Sequence, residues 1–392
     1  MGRSILRATF RYGVGRYGVA ALASLAVSWL SWHVPGTIDV ETYWLPWLAA
    51  VSRYGLIEGF TVAAGDYPPG AASLLFLARW LLPTADGMTV LKALLAAAQL
   101  GSTLFVLAQT GRLALSLFCL AAVALSASML AYLDILMAIP LLVAFFAALD
   151  RRPILSAAAF GVACLIKWQP LVVVPFMLVI WFEQARPEPR RHLAAAALLA
   201  IVAGLVAWMF WPAIWSSFAQ AFGHVGWSAH ALNFPWFVQI VLGYRPEIIQ
   251  APGAPLLGLR VIFAALYLLL LGAAIWMGIR RQRGDAMVIM PFALAAFLAY
   301  FTFAAGVHEN HLFGPMLLAF VLWSRNPRFR TAAIALAIFA NLNLAVFYGL
   351  TGAPPFATGP AFAWLTGILS AFSLLLFAHV LSRLAVARRI VE

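Results

Sequence analysis

Apolar stretches of about 20 residues recur along the whole chain, divided by short polar joints. Each is long enough to cross a bilayer as a helix. A consistent threading has about twelve spans with both ends on the inner side. They fall at 17–34, 88–108, 113–131, 135–149, 154–169, 171–184, 193–211, 258–279, 286–305, 312–324, 331–349 and 361–384. Residues 70–83 also form an apolar helix. It is placed as a re-entrant or interfacial helix on the outer side, because a further span there would turn the later basic joints outward. Two outer joints are long: 35–87, with helices near 40–57 and 70–83, and 212–257, rich in Trp, His and Pro. Long joints of this kind usually carry function. The pattern predicts an all-α polytopic membrane protein built as one membrane domain. Residues 1–211 form an N-terminal catalytic-type module and 258–392 a C-terminal helical module.

Composition agrees with the pattern. The chain is 65% hydrophobic and 10% charged, and no polar stretch is long enough to fold alone. The net charge of +12 does not point to nucleic acid, because the basic residues sit in short joints. These are Arg151-Arg152, Arg186 to Arg191, Arg280 to Arg283, Arg325 to Arg330 and Arg388-Arg389. Such joints face the cytoplasm in membrane proteins and favour anionic headgroups. The exceptions are Arg53, Arg79, Lys92, Lys167, Arg245 and Arg260. Arg3, Arg7, Arg11 and Arg16 precede the first apolar run without a convincing cleavage site, so that run reads as a retained span. Cys119 and Cys164 lie inside apolar segments, which supports no disulfide framework.

The acids and histidines gather on the outer side. Asp39 and Glu41 follow the first span, where an ionisable residue is costly unless used. The plain alternative is a solvated loop start, with Glu41 capping the next helix. Asp66 and Tyr67 head a helix opened by Pro68 and Pro69. Lys167-Trp168-Gln169 stands between two apolar runs, where the lysine either faces a wet cavity or an anion, or snorkels to headgroups. Asp134 joins this outer set. His308, Glu309 and His311 sit between two late spans. The His-Glu-x-x-His spacing of a zinc protease is absent, so no metal is assigned; a histidine there suits a hydrogen bond to phosphate.

Asp39-x-Glu41, Asp66-Tyr67-Pro68-Pro69, Lys167-x-Gln169 and His308-Glu309 come in an order that resembles the GT-C superfamily of polyprenyl-phosphate-sugar-dependent glycosyltransferases. The likeness covers about 1–325. It is nearest to the dolichyl-phosphate-glucose alpha-glucosyltransferases of N-glycan assembly and to bacterial polyprenyl-phosphate-mannose mannosyltransferases. The family's His-Glu-Lys reads His308-Glu309-Asn310 here. The resemblance implies transfer of a hexose from a polyprenyl-phosphate donor to a hydroxyl of a glycan or glycolipid acceptor, with inversion and no cofactor. It makes Asp39 the general base, with Glu41 orienting the acceptor or tuning Asp39. Lys167, His308, His311 and Arg245 are then candidates to stabilise the phosphate. Asp66, Tyr67, Asp134 and Gln169 complete the substrate-binding set, and Glu309 is expected to orient His308. A bacterial inner membrane with the site facing outward suits the short chain. A lipid or polyol transporter or flippase, and a lipid-diphosphate-dependent polysaccharide polymerase or ligase, remain alternatives. A transporter would spread polar residues towards both faces, and a polymerase would place arginines in large outer loops.

Overall fold

The computed structural model describes residues 13–63, 65–223, 228–243, 253–280, 285–352 and 359–389. The chain is overwhelmingly helical. In order it forms α1 (Val14–Leu30), α2 (Leu45–Tyr54), α3 (Leu56–Ala63), α4 (Pro69–Leu81), α5 (Gly87–Thr110) and α6 (Leu113–Ala124). Then come α7 (Ala138–Leu149), α8 (Pro153–Ile166), α9 (Val174–Ala185), α10 (Pro189–Met209), α11 (Ala213–Phe222) and α12 (Phe234–Val241). The last are α13 (Gly253–Arg280), α14 (Ala286–Phe303), α15 (Phe313–Arg325), α16 (Arg330–Tyr348) and α17 (Pro360–Arg389). Two-residue strands β1 (Ser228–Ala229) and β2 (Val307–His308) pair in parallel.

Local chemistry sets the helix ends. Asp86 caps α5 by accepting from Thr89 N at 3.0 Å and Thr89 Oγ1 at 2.6 Å. Gly111 ends it in the left-handed conformation. Prolines open α4, α8 and α10, where a missing N–H costs nothing.

Among the described residues, six stretches are long and apolar enough to cross a membrane: Gly87–Thr110, Pro189–Met209, Leu257–Met277, Ala286–Phe303, Pro327–Tyr348 and Pro360–Leu384. Their burial within the protein ranges widely. α14 runs through the centre with 72% of its apolar window buried, whereas α10 buries none of its own. Leu193, Leu198, Ile201 and Trp208 all stand exposed on α10. A helix apolar all round and not covered by protein needs a lipid environment. The protein is therefore membrane-embedded.

The first long joint departs from the expected single helix near 40–57. A π turn (Val40–Trp44) leads into α2, which stops at Gly55 with φ 79°. α3 then folds back on α2 so closely that a Cβ on Gly59 would lie 2.5 Å from Val51 Cα. The left-handed glycine makes the reversal possible. The apolar helix expected at 70–83 is present as α4. The expected span 154–169 also ends early, at Ile166, and Lys167 is extended. Lys167 and Trp168 thus form a joint rather than a helix end.

Alternate joints meet at one end of the bundle. Thr37 N donates to Leu130 O at 3.0 Å. Ser217 Oγ donates to Tyr67 O at 2.6 Å, and Trp168 Nε1 donates to Ser217 Oγ at 3.0 Å. β1 and β2 join the second long joint to the segment after α14. The basic joints meet at the other end, where Arg325 pairs with Asp150 at 2.8 Å and Arg16 donates to Gly111 O at 3.2 Å.

The start of α4 touches the end of α8, and a Cβ on Gly70 would lie 2.3 Å from Leu165 O. Backbone on both sides leaves nothing flexible to yield. Gly70→Ala is expected to cost roughly 1–3 kcal/mol, read as a lowered melting temperature in detergent.

Candidate functional site

The site is built from joints. The 3-10 turn Leu133–Met137 carries Asp134, which is fully buried. The extended residue after α8 carries Lys167, and its ammonium pairs with Asp134 Oδ1. Lys167 also donates to Tyr67 OH at 3.2 Å, so the turn before α4 is tied to the same cation. Asn310 Nδ2 donates to Asp134 Oδ2 at 3.0 Å, so both carboxylate oxygens are satisfied. An ammonium has three N–H groups, which leaves one beyond these two protein partners.

Lys167 lines an open cleft. Asp66, Gln169, His308 and His311 give it polar walls, and Tyr67, Trp168, Phe222 and Tyr300 give it aromatic ones. Gln169 Nε2 donates to His311 O, and Tyr300 OH lies 3.3 Å from His311 Nδ1. The rings of His308 and His311 are 5.5 Å apart. The structure therefore brings together Asp66, Tyr67, Lys167, Gln169, His308 and His311, with Asp134 behind Lys167.

Asp39 is half-buried at the start of the π turn, close enough to Asp66 and Lys167 of the cleft to feel their charges. Burial pushes its carboxyl up to about 6, and the Asp66 and Asp134 charges add to the rise while Lys167 opposes it. The same crowding and burial push the Tyr67 phenol well above its ordinary value. Glu309 is buried, and that burial raises its carboxyl to about 8. A hydrogen bond from Tyr132 works against this rise, and the Asp39 charge adds to it.

Glu41 is exposed, and the charges acting on Asp39 are those of Asp66, Lys167 and Asp134. A π turn that buries Val40 and Trp44 leaves Glu41 on the open side. Glu309, at the start of the 3-10 turn Glu309–Leu312, accepts at Oε1 from Tyr132 OH at 2.5 Å. Lys167 both lines the cleft and faces an anion, the Asp134 carboxylate. Arg245 lies outside the described residues.

Sequence reading passed over Tyr132, Tyr300 and Asn343, which carry much of the hydrogen bonding. Tyr132 and Asn343 could have been noticed as polar groups inside apolar runs. Their partners lie 177 and 34 residues away in sequence, beyond any local pattern. Comparison with family models and with curated proteins finds no match for this chain.

Lys167→Met leaves Asp134 buried without its counter-ion. It is expected to lose about 3–5 kcal/mol, read as a large fall in melting temperature, and Asp134→Asn in the same chain is expected to restore most of it. Asp39→Asn should act oppositely. Its folded-state affinity for protons is raised, so the penalty for ionising it is complete above about pH 6 and vanishes towards pH 4. The Asn variant is expected to be more stable by roughly 1–3 kcal/mol at pH 7.5, with the gain disappearing as the pH falls to 4.

Proposed function

We propose that the chain is a GT-C type membrane glycosyltransferase that moves a hexose from a polyprenyl-phosphate donor to a hydroxyl of a glycan or glycolipid acceptor. The observation that carries this reading is the setting of Asp39. One carboxyl, with a proton affinity near neutrality, is close enough to feel the charges of a cleft walled by a lysine, two histidines and aromatic rings. A base works best when its pKa lies near the working pH.

In the proposed reaction Asp39 takes the proton from the acceptor hydroxyl. The acceptor oxygen attacks the anomeric carbon from the face opposite the phosphate. The bond from that carbon to the phosphate oxygen breaks, and its electron pair stays on the phosphate. The new bond has inverted configuration. Phosphate leaves well without an acid, so one carboxylate suffices, unlike the carboxyl pair of a glycosidase. The remaining N–H of Lys167 and the imidazoles of His308 and His311 are the groups we assign to the departing phosphate. Gln169 lines the cleft, and its Oε1 is buried on the side of Gly314 without a protein donor. Asp66 would repel phosphate and suits a hydroxyl. Trp168, Phe222 and Tyr300 offer ring faces to a sugar or a prenyl unit.

The proposed topology has about twelve spans with the basic joints inside and the cleft facing outward, in a bacterial inner membrane. Alternation of joints along the bundle supports it, since Asp39, Asp66, His308 and His311 share one end and the arginine joints the other. A transporter that must open to both faces would need polar groups towards the basic end too.

Purified protein is to be incubated with a panel of polyprenyl-phosphate sugars and acceptors. Wild type is expected to consume one donor, and Asp39→Asn to lose at least 100-fold in turnover while keeping donor affinity. Persistent turnover in Asp39→Asn would exclude it as the base. Wild-type activity should rise through about pH 6 and level off above it. Asp66→Asn removes a charge that holds the Asp39 proton on, so its acid limb should move down by up to about one unit.

A further inference from the structure

Glu309 lies at a crossing of hydrogen bonds. Its carboxylate accepts from Tyr132 OH at 2.5 Å, and its backbone carbonyl accepts from Asn343 Nδ2 at 2.6 Å. Both partners are buried almost completely. Each continues to a different outer segment.

On the Tyr132 side the path leads to Asp39. Tyr132 N donates to Ser126 O at 2.9 Å, which fixes its backbone to the π turn Leu125–Met129 at the end of α6. Ala131 sits at φ 58°, a left-handed conformation that a non-glycine residue adopts at a cost. That kink lets Leu130 O accept from Thr37 N at 3.0 Å while the Tyr132 ring faces Glu309. Gly36 seals the contact, because a Cβ there would lie 2.9 Å from Leu130 O and 3.0 Å from Ala131 Cβ. Thr37 O then accepts from Val40 N at 3.0 Å and closes the turn that presents Asp39.

On the Asn343 side the path leads to the second long joint. Asn343 Oδ1 accepts from Leu232 N at 2.7 Å. Shortly before Leu232, β1 sets Ser228 opposite Val307 and Ala229 opposite His308. The joint is thus held to the His308 segment by a strand pair and again through Asn343.

We propose that Tyr132 and Asn343 are positioning residues of the transfer site, holding the Asp39 segment and the His308 segment in one frame through Glu309. The proposal rests on the glycosyltransferase reading for its catalytic consequence. The frame matters because base and phosphate-binding groups come from different joints, and a misplacement of about 1 Å can cost 100-fold in rate. Buried hydrogen bonds suit this task, because each group left unpaired in an apolar surrounding is costly and alternative geometries are few.

The test uses full-length protein in detergent and reads two independent quantities. The first is hydrogen exchange of peptides covering 34–42 and 228–233. The second is steady-state turnover with the donor that wild type consumes. Tyr132→Phe keeps the ring and removes one hydroxyl. It is expected to raise exchange in 34–42 and leave the rest of the chain protected. It should also lower kcat about 10- to 100-fold with the donor KM unchanged. In a Glu309→Gln background the same change should cost little more, since it acts through Glu309. Asn343→Leu should raise exchange in 228–233 instead. Unchanged exchange and kcat in Tyr132→Phe would overturn the proposal. So would a general rise in exchange with a proportional fall in melting temperature, which marks a purely structural role. If wild type consumes no donor in the panel, the glycosyltransferase reading fails, and the exchange patterns alone still decide whether the frame exists.

Discussion

Lys167 and Asp134 meet with the carboxylate fully buried and the lysine side chain only 7% exposed, at the cleft. A single charge in that place would cost several kcal/mol, and breaking such a pair leaves the survivor uncompensated. Their contact therefore holds the joint after α8 to the turn before α7. Tyr67 adds the first long joint through its hydroxyl, and Asn310 adds the joint before α15 through Asp134 Oδ2. Four separated parts of the chain converge on one ion pair. The cleft exists because they do.

The same pair sets the electrostatics of the neighbourhood. Asp134 pairs with Lys167, and at Asp39 the opposing Lys167 charge counts for less than burial and the Asp66 charge. Burial and the neighbouring acids then raise the proton affinity of Asp39 towards neutrality. Asn310 satisfies Asp134 by a neutral hydrogen bond and adds no positive charge. A second cation at that position would pull the Asp39 carboxyl back towards its ordinary range. The arrangement keeps the Asp39 carboxyl above its ordinary range.

Much of the helix pattern was legible because it is written locally. A run of apolar residues needs a helix to satisfy its backbone in lipid, whatever its neighbours do. The helix expected at 70–83 appears as Pro69–Leu81. The break in the helix expected near 40–57 was missed, although Gly55 stands in the sequence, because a glycine inside an apolar run reveals a reversal only when α3 is seen packed on α2. Asp66, Tyr67, Lys167, Gln169, His308 and His311 were legible as polar groups in expensive places, and they do share a cleft. The exposure of Glu41 was not legible, because the face a residue takes depends on the winding of its turn, here five residues of π helix.

What the sequence by itself determined is the helical, membrane-embedded character of the protein and the set of costly polar residues at its joints. Both follow from the energy of placing each side chain and each backbone group in an apolar medium, a property of short stretches. The tertiary structure alone decided who meets whom. Asp134 became the partner of Lys167, Glu309 that of Tyr132, and Asp39 came under the charge of Asp66. These outcomes depend on groups up to 177 residues apart. Such partnerships are fixed by packing helices into one bundle, and no local pattern encodes them.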